Sequence, residues 1–279
     1  MPSEPEELVR ACYSNWSETY YDDYYGEQAP YPPVHRELVK RLLEEAGALS
    51  VLDAGCGPAS FLRELVGTGL ALHGFDLSPE MVEEARRVLG ERGSVWEGSV
   101  LSAESFRGRY DAVLCVGVLP HVPEGDDERV LANLHDALNE GGLVAVEARN
   151  QLFSLFTLNR YTYEFFRDEL VRPDDETVLA PLEQHLRMDL PPVRSGQAGA
   201  PGYDEVLSRT HNPLVLRRQV EAAGFRDVRT LFYHYHGLPP MYQSIDPAGF
   251  RRLSLAREDP RDWRGHFMAS AFLLAGTRS

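Results

Sequence analysis

Two glycines and two aspartates stand at spacings that could hold a nucleotide-like ligand. The run Val51-Leu52-Asp53-Ala54-Gly55-Cys56-Gly57-Pro58-Ala59-Ser60 passes from an apolar stretch into a glycine turn. Gly55 and Gly57 carry no Cβ, so the backbone there can bend tightly and approach a ligand closely. Asp76 ends the next apolar stretch, in His73-Gly74-Phe75-Asp76-Leu77-Ser78. A carboxylate there, about 20 residues after such a turn, can accept hydrogen bonds from both hydroxyls of a ribose. Either feature alone has a plainer use: the glycines a tight bend, Asp76 a cap for the helix opening at Pro79. Together they point to a ribose-bearing cofactor.

A second set of residues could act on an acceptor. His121, in Leu119-Pro120-His121-Val122, has the titration range of a general base, and could equally shape its loop or touch the cofactor. Arg149 and Asn150 could hold a carboxylate, a phosphate or a sugar hydroxyl, or simply bond at the surface. Phe232-Tyr233-His234-Tyr235-His236 alternates as a strand does, which predicts Tyr233 and Tyr235 on one face. That pair, with Tyr161 and His211, makes the candidate acceptor wall; the aromatics at 153–166 also fit a buried helix face. No metal is expected: the two His at i, i+2 lack a carboxylate cluster, and Cys12, Cys56 and Cys115 lack close His or Cys partners.

These residues need a frame, and the pattern supplies one. Short apolar runs at 50–54, 71–75, 94–97, 112–116 and 143–148 alternate with helical stretches at 60–68, 79–90 and 126–138. Such alternation predicts a doubly wound α/β fold with a mostly parallel sheet, in which ligands bind at the carboxyl ends of the strands. A helix over 33–47 precedes the first strand, Gly47 stopping it. After 212 come a helix at 213–223 and strands at 228–235 and 267–276, which complete seven strands and could pair as an antiparallel edge. Residues 150–212 interrupt the rhythm with an aromatic segment and a Pro- and Gly-rich loop, the usual form of a functional insertion. The expected organisation is an arm at 1–32, a core at 33–149, a substrate lid at 150–212, and closing elements at 213–279.

The motifs VLDAGCG, GFDLSPEMVEEAR, YDAVLCVGVLPHV and LHDALNEGGLVAVEARN resemble those of class I S-adenosylmethionine (SAM)-dependent methyltransferases, over residues 33–150 and in outline over 213–276. The resemblance implies a Rossmann-like methyltransferase fold, SAM as cofactor, and Asp53, Gly55 and Gly57 beneath its methionine part. It implies Asp76, with Leu77 beside it, at the ribose. Ser99 and Val100 fall at the adenine, where the family usually has an acid, so Ser99 is a departure; Val116 ends the fourth strand against the same ligand. Tyr20 and Tyr25, in the run 20–25, are expected to close over the cofactor with the insertion, unless that run is a solvated arm. A nicotinamide-dependent oxidoreductase shares the turn and the ribose acid, but usually places its first glycine directly after the strand and a third where Ser60 stands. A protein that binds SAM without catalysis is the other alternative.

Composition narrows the partners. A formal net charge of -15 would repel the phosphates of a nucleic acid, so a small polar molecule (a sugar, an amino acid or a secondary metabolite, methylated at O or N) is expected as acceptor. No apolar run approaches the roughly 20 residues that span a bilayer, and the opening MPSEPEELVR is acidic where a secretory signal would be basic. The expectation is a cytoplasmic protein, off the membrane, as a monomer or homodimer.

Overall fold

A computed structural model of the chain describes residues 3–25, 33–172, 176–191, 195–196 and 201–279. Seven strands, β1 (Ser50–Ala54), β2 (Ala71–Asp76), β3 (Gly93–Glu97), β4 (Tyr110–Cys115), β5 (Leu138–Arg149), β6 (Phe225–Tyr235) and β7 (Ala269–Arg278), form one sheet in the order β3-β2-β1-β4-β5-β7-β6. The first five run parallel, and β7 lies antiparallel between β5 and β6. This is the doubly wound sheet expected, with the predicted antiparallel pair. The order reverses between β1 and β4, and a crevice opens beyond their carboxyl ends, because the connections leave to opposite faces there.

The helices cover both faces. In chain order they are α1 (Glu4–Ser14), α2 (Tyr20–Tyr25), α3 (Val34–Ala46), α4 (Pro79–Leu89), α5 (Asp127–Asp136), α6 (Ser154–Thr157), α7 (Arg160–Phe165), α8 (Ala180–Glu183), α9 (Pro213–Ala222), α10 (Pro247–Leu255) and α11 (Gly265–Met268). On one face Val39 and Leu42 of α3 and Val82 and Ala85 of α4 pack on Val51, Leu114 and Ala145. On the other, Leu131 and Leu134 of α5 and Leu216 and Val220 of α9 pack on Leu52, Val113 and Val144. Central strands buried on both faces must be apolar at nearly every position. Asp53 is therefore an exception that needs a reason.

Several expectations change: β5 begins at Leu138 rather than 143, and β6 at Phe225 rather than 228. The helix predicted over 60–68 shrinks to a 3-10 turn at Leu62–Leu65, because Ala59 (φ 59°) and Gly67 (φ 88°) are left-handed and leave too few residues between them for a stable α-helix. The last strand begins two residues later than predicted, after the turn of α11. Tyr233 and Tyr235 do not share a face: Tyr233 packs with the α3 side and Tyr235 with the α5 side. Between them His234 sits at φ 56°, which breaks the alternation the sequence pattern assumes.

Candidate functional site

The crevice beyond β1, β2 and β4 is a cleft of about 1120 Å³ counting its open mouth. Asp53, Gly55, Gly57, Asp76, Leu77, Ser99, Val100, Val116, His121 and Tyr20 all line it. Tyr25 ends α2, but its side chain lies outside the described residues. Glu6, Arg10 and Tyr13 of α1 and His35 of α3 line it as well, and the sequence patterns do not single these out.

The turn is fixed from below. The amides of Gly55 and Cys56 both donate to the Phe75 carbonyl, at 2.8 and 2.9 Å. Gly55 takes φ 88°, and a Cβ there would come within 2.2 Å of Val118 Cγ2; Gly57 takes φ 53° with open space where its Cβ would project. Gly55→Ala is therefore expected to cost about 1–3 kcal/mol of stability through overpacking and a left-handed backbone. Thermal unfolding would check it, and an unchanged midpoint would remove the steric argument.

Asp76 ties the turn to the end of β2. Its Oδ2 accepts from the Gly57 amide at 2.8 Å and its Oδ1 from the Ser78 amide at 2.9 Å. A carboxylate offers about four acceptor sites, so each oxygen keeps capacity for a ligand hydroxyl. Burial raises the pKa of Asp76, against the hydrogen bonds from Ser78, Gly57 and Leu77. Asp53, only 4% exposed, is pushed up to about 7, by burial first and then by the charge of Asp76. Among the described residues lining the cleft, the acids are Glu6, Asp53 and Asp76, against the single cation Arg10. The histidines do not redress the balance: burial holds His35 down at about 3 and His121 at about 4.

His121 is held at both nitrogens. Nδ1 lies 2.6 Å from the Leu207 carbonyl, which can only accept, so the proton of the neutral ring sits on Nδ1. Nε2 therefore presents its lone pair, and the Tyr13 hydroxyl, at 2.8 Å, donates to it. Tyr203 stands edge-on to the imidazole at 5.8 Å, and the Arg149 guanidinium lies 5.0 Å over the Tyr203 ring. Arg149 also donates to Ser208 Oγ at 2.7 Å and to the Tyr203 hydroxyl.

The remaining acceptor candidates lie elsewhere. Asn150 is buried, with Nδ2 donating to the carbonyls of Gly265, His266 and Ala269 at 3.1, 2.9 and 2.8 Å and Oδ1 accepting from the Leu152 amide, so its amide joins β5 to α11 and β7. Tyr161 is 41% exposed on α7, away from the cleft. His211 is buried beside the Asp127–Arg209 ion pair; burial acts to raise the Asp127 carboxyl, but His211 and then Arg209 hold it down at about 2. The Tyr235 hydroxyl donates to the carbonyls of Asp259 and Asp262, at 2.7 and 3.2 Å. Tyr233 sits behind His35, ring centroids 5.3 Å apart, rather than in the lining.

A seven-stranded sheet of this order, with a glycine turn after β1 and an acid ending β2, is the Rossmann-like methyltransferase fold. Residues 51–142 match the family model described as a methyltransferase domain. The chain is 34% identical over 130 residues to a ubiquinone biosynthesis O-methyltransferase of Xanthomonas axonopodis pv. citri, covering 45% of this chain and 53% of that protein. It is 28% identical over 178 residues to the protein of that name from Thiobacillus denitrificans, covering 62% and 72%. The chain thus spans about half the length of the first relative. Magnesium protoporphyrin IX methyltransferase from Synechocystis, solved with bound S-adenosylhomocysteine, shares the fold at a TM-score of 0.56 and 18% identity, over 99% of this chain and all of that one. No helix among the described residues is long and apolar enough to cross a membrane.

Proposed function

We propose that the chain is a SAM-dependent methyltransferase acting on a hydroxyl oxygen of a small molecule, with His121 as the proton acceptor. The observation that carries this reading is the charge of the cleft. Carboxyl groups of the buried Asp53 and the half-buried Asp76 flank the glycine turn, and no α-helix begins behind it. A dinucleotide needs a helix N-terminus to meet its pyrophosphate, whereas the turn here runs through left-handed Ala59 into a 3-10 segment. The Asp76 carboxylate, joined by Asp53 as a bound cation draws off its proton, would repel phosphates and attract the ammonium and sulfonium of SAM. The fit extends to Gly57, where a Cβ would enter the open space.

When bound, SAM supplies a methyl group already activated by positive sulfur, so the protein has chiefly to orient the acceptor and take its proton. The Nε2 lone pair of His121 suits that task, directly or through the Tyr13 hydroxyl, which would pass its own proton to Nε2 as it receives the acceptor's. The Tyr13, Tyr20 and Tyr203 rings shelter this end of the cleft from water. The relatives named as O-methyltransferases support a hydroxyl acceptor; one on a sugar, an amino acid or a secondary metabolite would meet the requirement equally. Calorimetric titration should show S-adenosylhomocysteine binding and NADH not binding, and labelled SAM should transfer its methyl group to a hydroxyl acceptor in a panel of these classes. NADH binding in place of S-adenosylhomocysteine would move the chain to the oxidoreductases. Tight binding without transfer to any hydroxyl, where amines are methylated, would refute the oxygen acceptor.

A further inference from the structure

We propose that Glu6, on the N-terminal helix α1, recognises the 6-amino group of the cofactor's adenine, in partnership with the backbone amide of Val100. The inference rests on the SAM reading above and adds a specificity residue to it.

The segment after β3 offers an adenine ring little of its own. The Ser99 side chain is an alcohol, and its hydroxyl is already engaged: Oγ accepts from the Leu101 amide at 3.1 Å and donates to Glu6 Oε1. Ser99 thus serves to seat a carboxylate that arrives from 93 residues away. Glu6 lines the same cleft as Asp76, Ser99 and Val100. Its Oε2 accepts from the Ser3 amide and hydroxyl at 2.8 and 3.0 Å, the reciprocal end of a helix cap. Its Oε1 carries the Ser99 bond and, as a carboxylate oxygen, retains acceptor capacity. Burial acts to raise the acid, but hydrogen bonds from Ser3 and Ser99 and the charge of Arg129 hold it below the ordinary value, so it is ionised at neutral pH.

Val100 provides the complement. It is 8% exposed and lines the cleft, and among the described residues its backbone N–H has no hydrogen-bond partner. A buried amide left unpaired is costly unless a ligand satisfies it. One donor beside one anionic acceptor matches the edge of adenine, where ring N1 accepts and the 6-amino group donates. The same pair mismatches hypoxanthine, whose N1 carries a proton and whose 6-position is a carbonyl oxygen. Asp76, at the ribose, fixes the end of the cleft from which the base extends.

The test is calorimetric titration of the full chain with S-adenosylhomocysteine and with S-inosylhomocysteine, in which the amino group is replaced by oxygen. The wild-type protein should prefer the adenosyl ligand by about tenfold or more, the loss expected for one charge-assisted hydrogen bond. Glu6→Ala should weaken the adenosyl ligand by about tenfold while changing the inosyl ligand by less than about threefold, so that the preference collapses. Glu6→Gln, which keeps the shape and can donate to the 6-carbonyl, should narrow the preference as well. If Glu6→Ala merely loosened α1, both ligands would weaken together, and an unchanged ratio in folded protein would overturn the proposal. Equal wild-type affinity for the two ligands would also overturn it. Failure of the wild type to bind either ligand would bring down the SAM reading itself.

Discussion

His121→Ala is expected to lower kcat by about 100- to 10,000-fold, the range for removing a positioned general base, with little change in SAM affinity. The geometry gives the reason. The Leu207 carbonyl fixes the proton on Nδ1, so Nε2 faces Tyr13 as an acceptor in the neutral ring. Burial, together with the charge of Arg149, pushes the imidazole down to about 4 against the Leu207 hydrogen bond. The neutral form is the active one, so at saturating SAM activity should be lost only as pH falls through about 4, rather than through the usual histidine range near 6.5. Tyr13→Phe should retain the imidazole but lose the relay, and the double substitution should cost no more than His121→Ala alone, because residues acting as one unit are not additive. Rapid-quench measurement of methyl transfer, beside calorimetry for SAM, separates these effects. A kcat that survives His121→Ala would reduce the histidine to a loop contact. Loss of SAM affinity instead of kcat would make it a cofactor residue.

The half of this site that could be read in sequence is the half built from consecutive residues. The turn at 53–57 and the acid at 76 are each encoded within one strand and its exit, where spacing along the chain translates directly into spacing in space. The other half is assembled over long separations. Tyr13 reaches His121 across 108 residues and Glu6 reaches Ser99 across 93, and neither carries a local signature beyond membership of a polar helix. Ser99 was legible only as a departure; what replaces the acid could not be found without the packing of α1. Local pattern also misleads where one residue breaks the backbone rule, as His234 does by turning left-handed between Tyr233 and Tyr235. Asn150 illustrates a different limit. It ends a strand at the crevice, as a ligand-binding residue would, but three backbone carbonyls of the β7 approach consume its amide. A polar side chain at a strand end serves the ligand or the fold, and only its neighbours decide which.

Asp76→Ala should weaken S-adenosylhomocysteine by about 3 kcal/mol, roughly 150-fold, from two hydrogen bonds to a carboxylate at the lower end of their range. The turn would loosen as well, since the Gly57 and Ser78 amides lose their acceptor. A ligand lacking the ribose 2′-hydroxyl separates the two causes: it should bind the wild type more weakly but lose less on the substitution. Equal losses for both ligands would assign Asp76 to the turn alone. The same carboxylate sets the pH dependence of binding through Asp53, which burial and Asp76 push up to about 7. In the free protein Asp53 carries a proton below that value. SAM, whose ammonium and sulfonium outweigh its carboxylate, favours the ionised form, so its binding below about pH 7 should release a proton and tighten as pH rises. Affinity should level off above 7 and fall again above about 8, where the ligand's α-amino group loses its charge. For folding the sign is opposite: the folded state holds a proton that the unfolded chain has given up between the ordinary value of 3.8 and about 7, so stability falls as pH rises through that window. Calorimetry in buffers of different ionisation enthalpy reads the proton directly, and Asp53→Asn should abolish both the release and the rise in affinity. Proton release that persists in Asp53→Asn would place the titrating group elsewhere in the cleft.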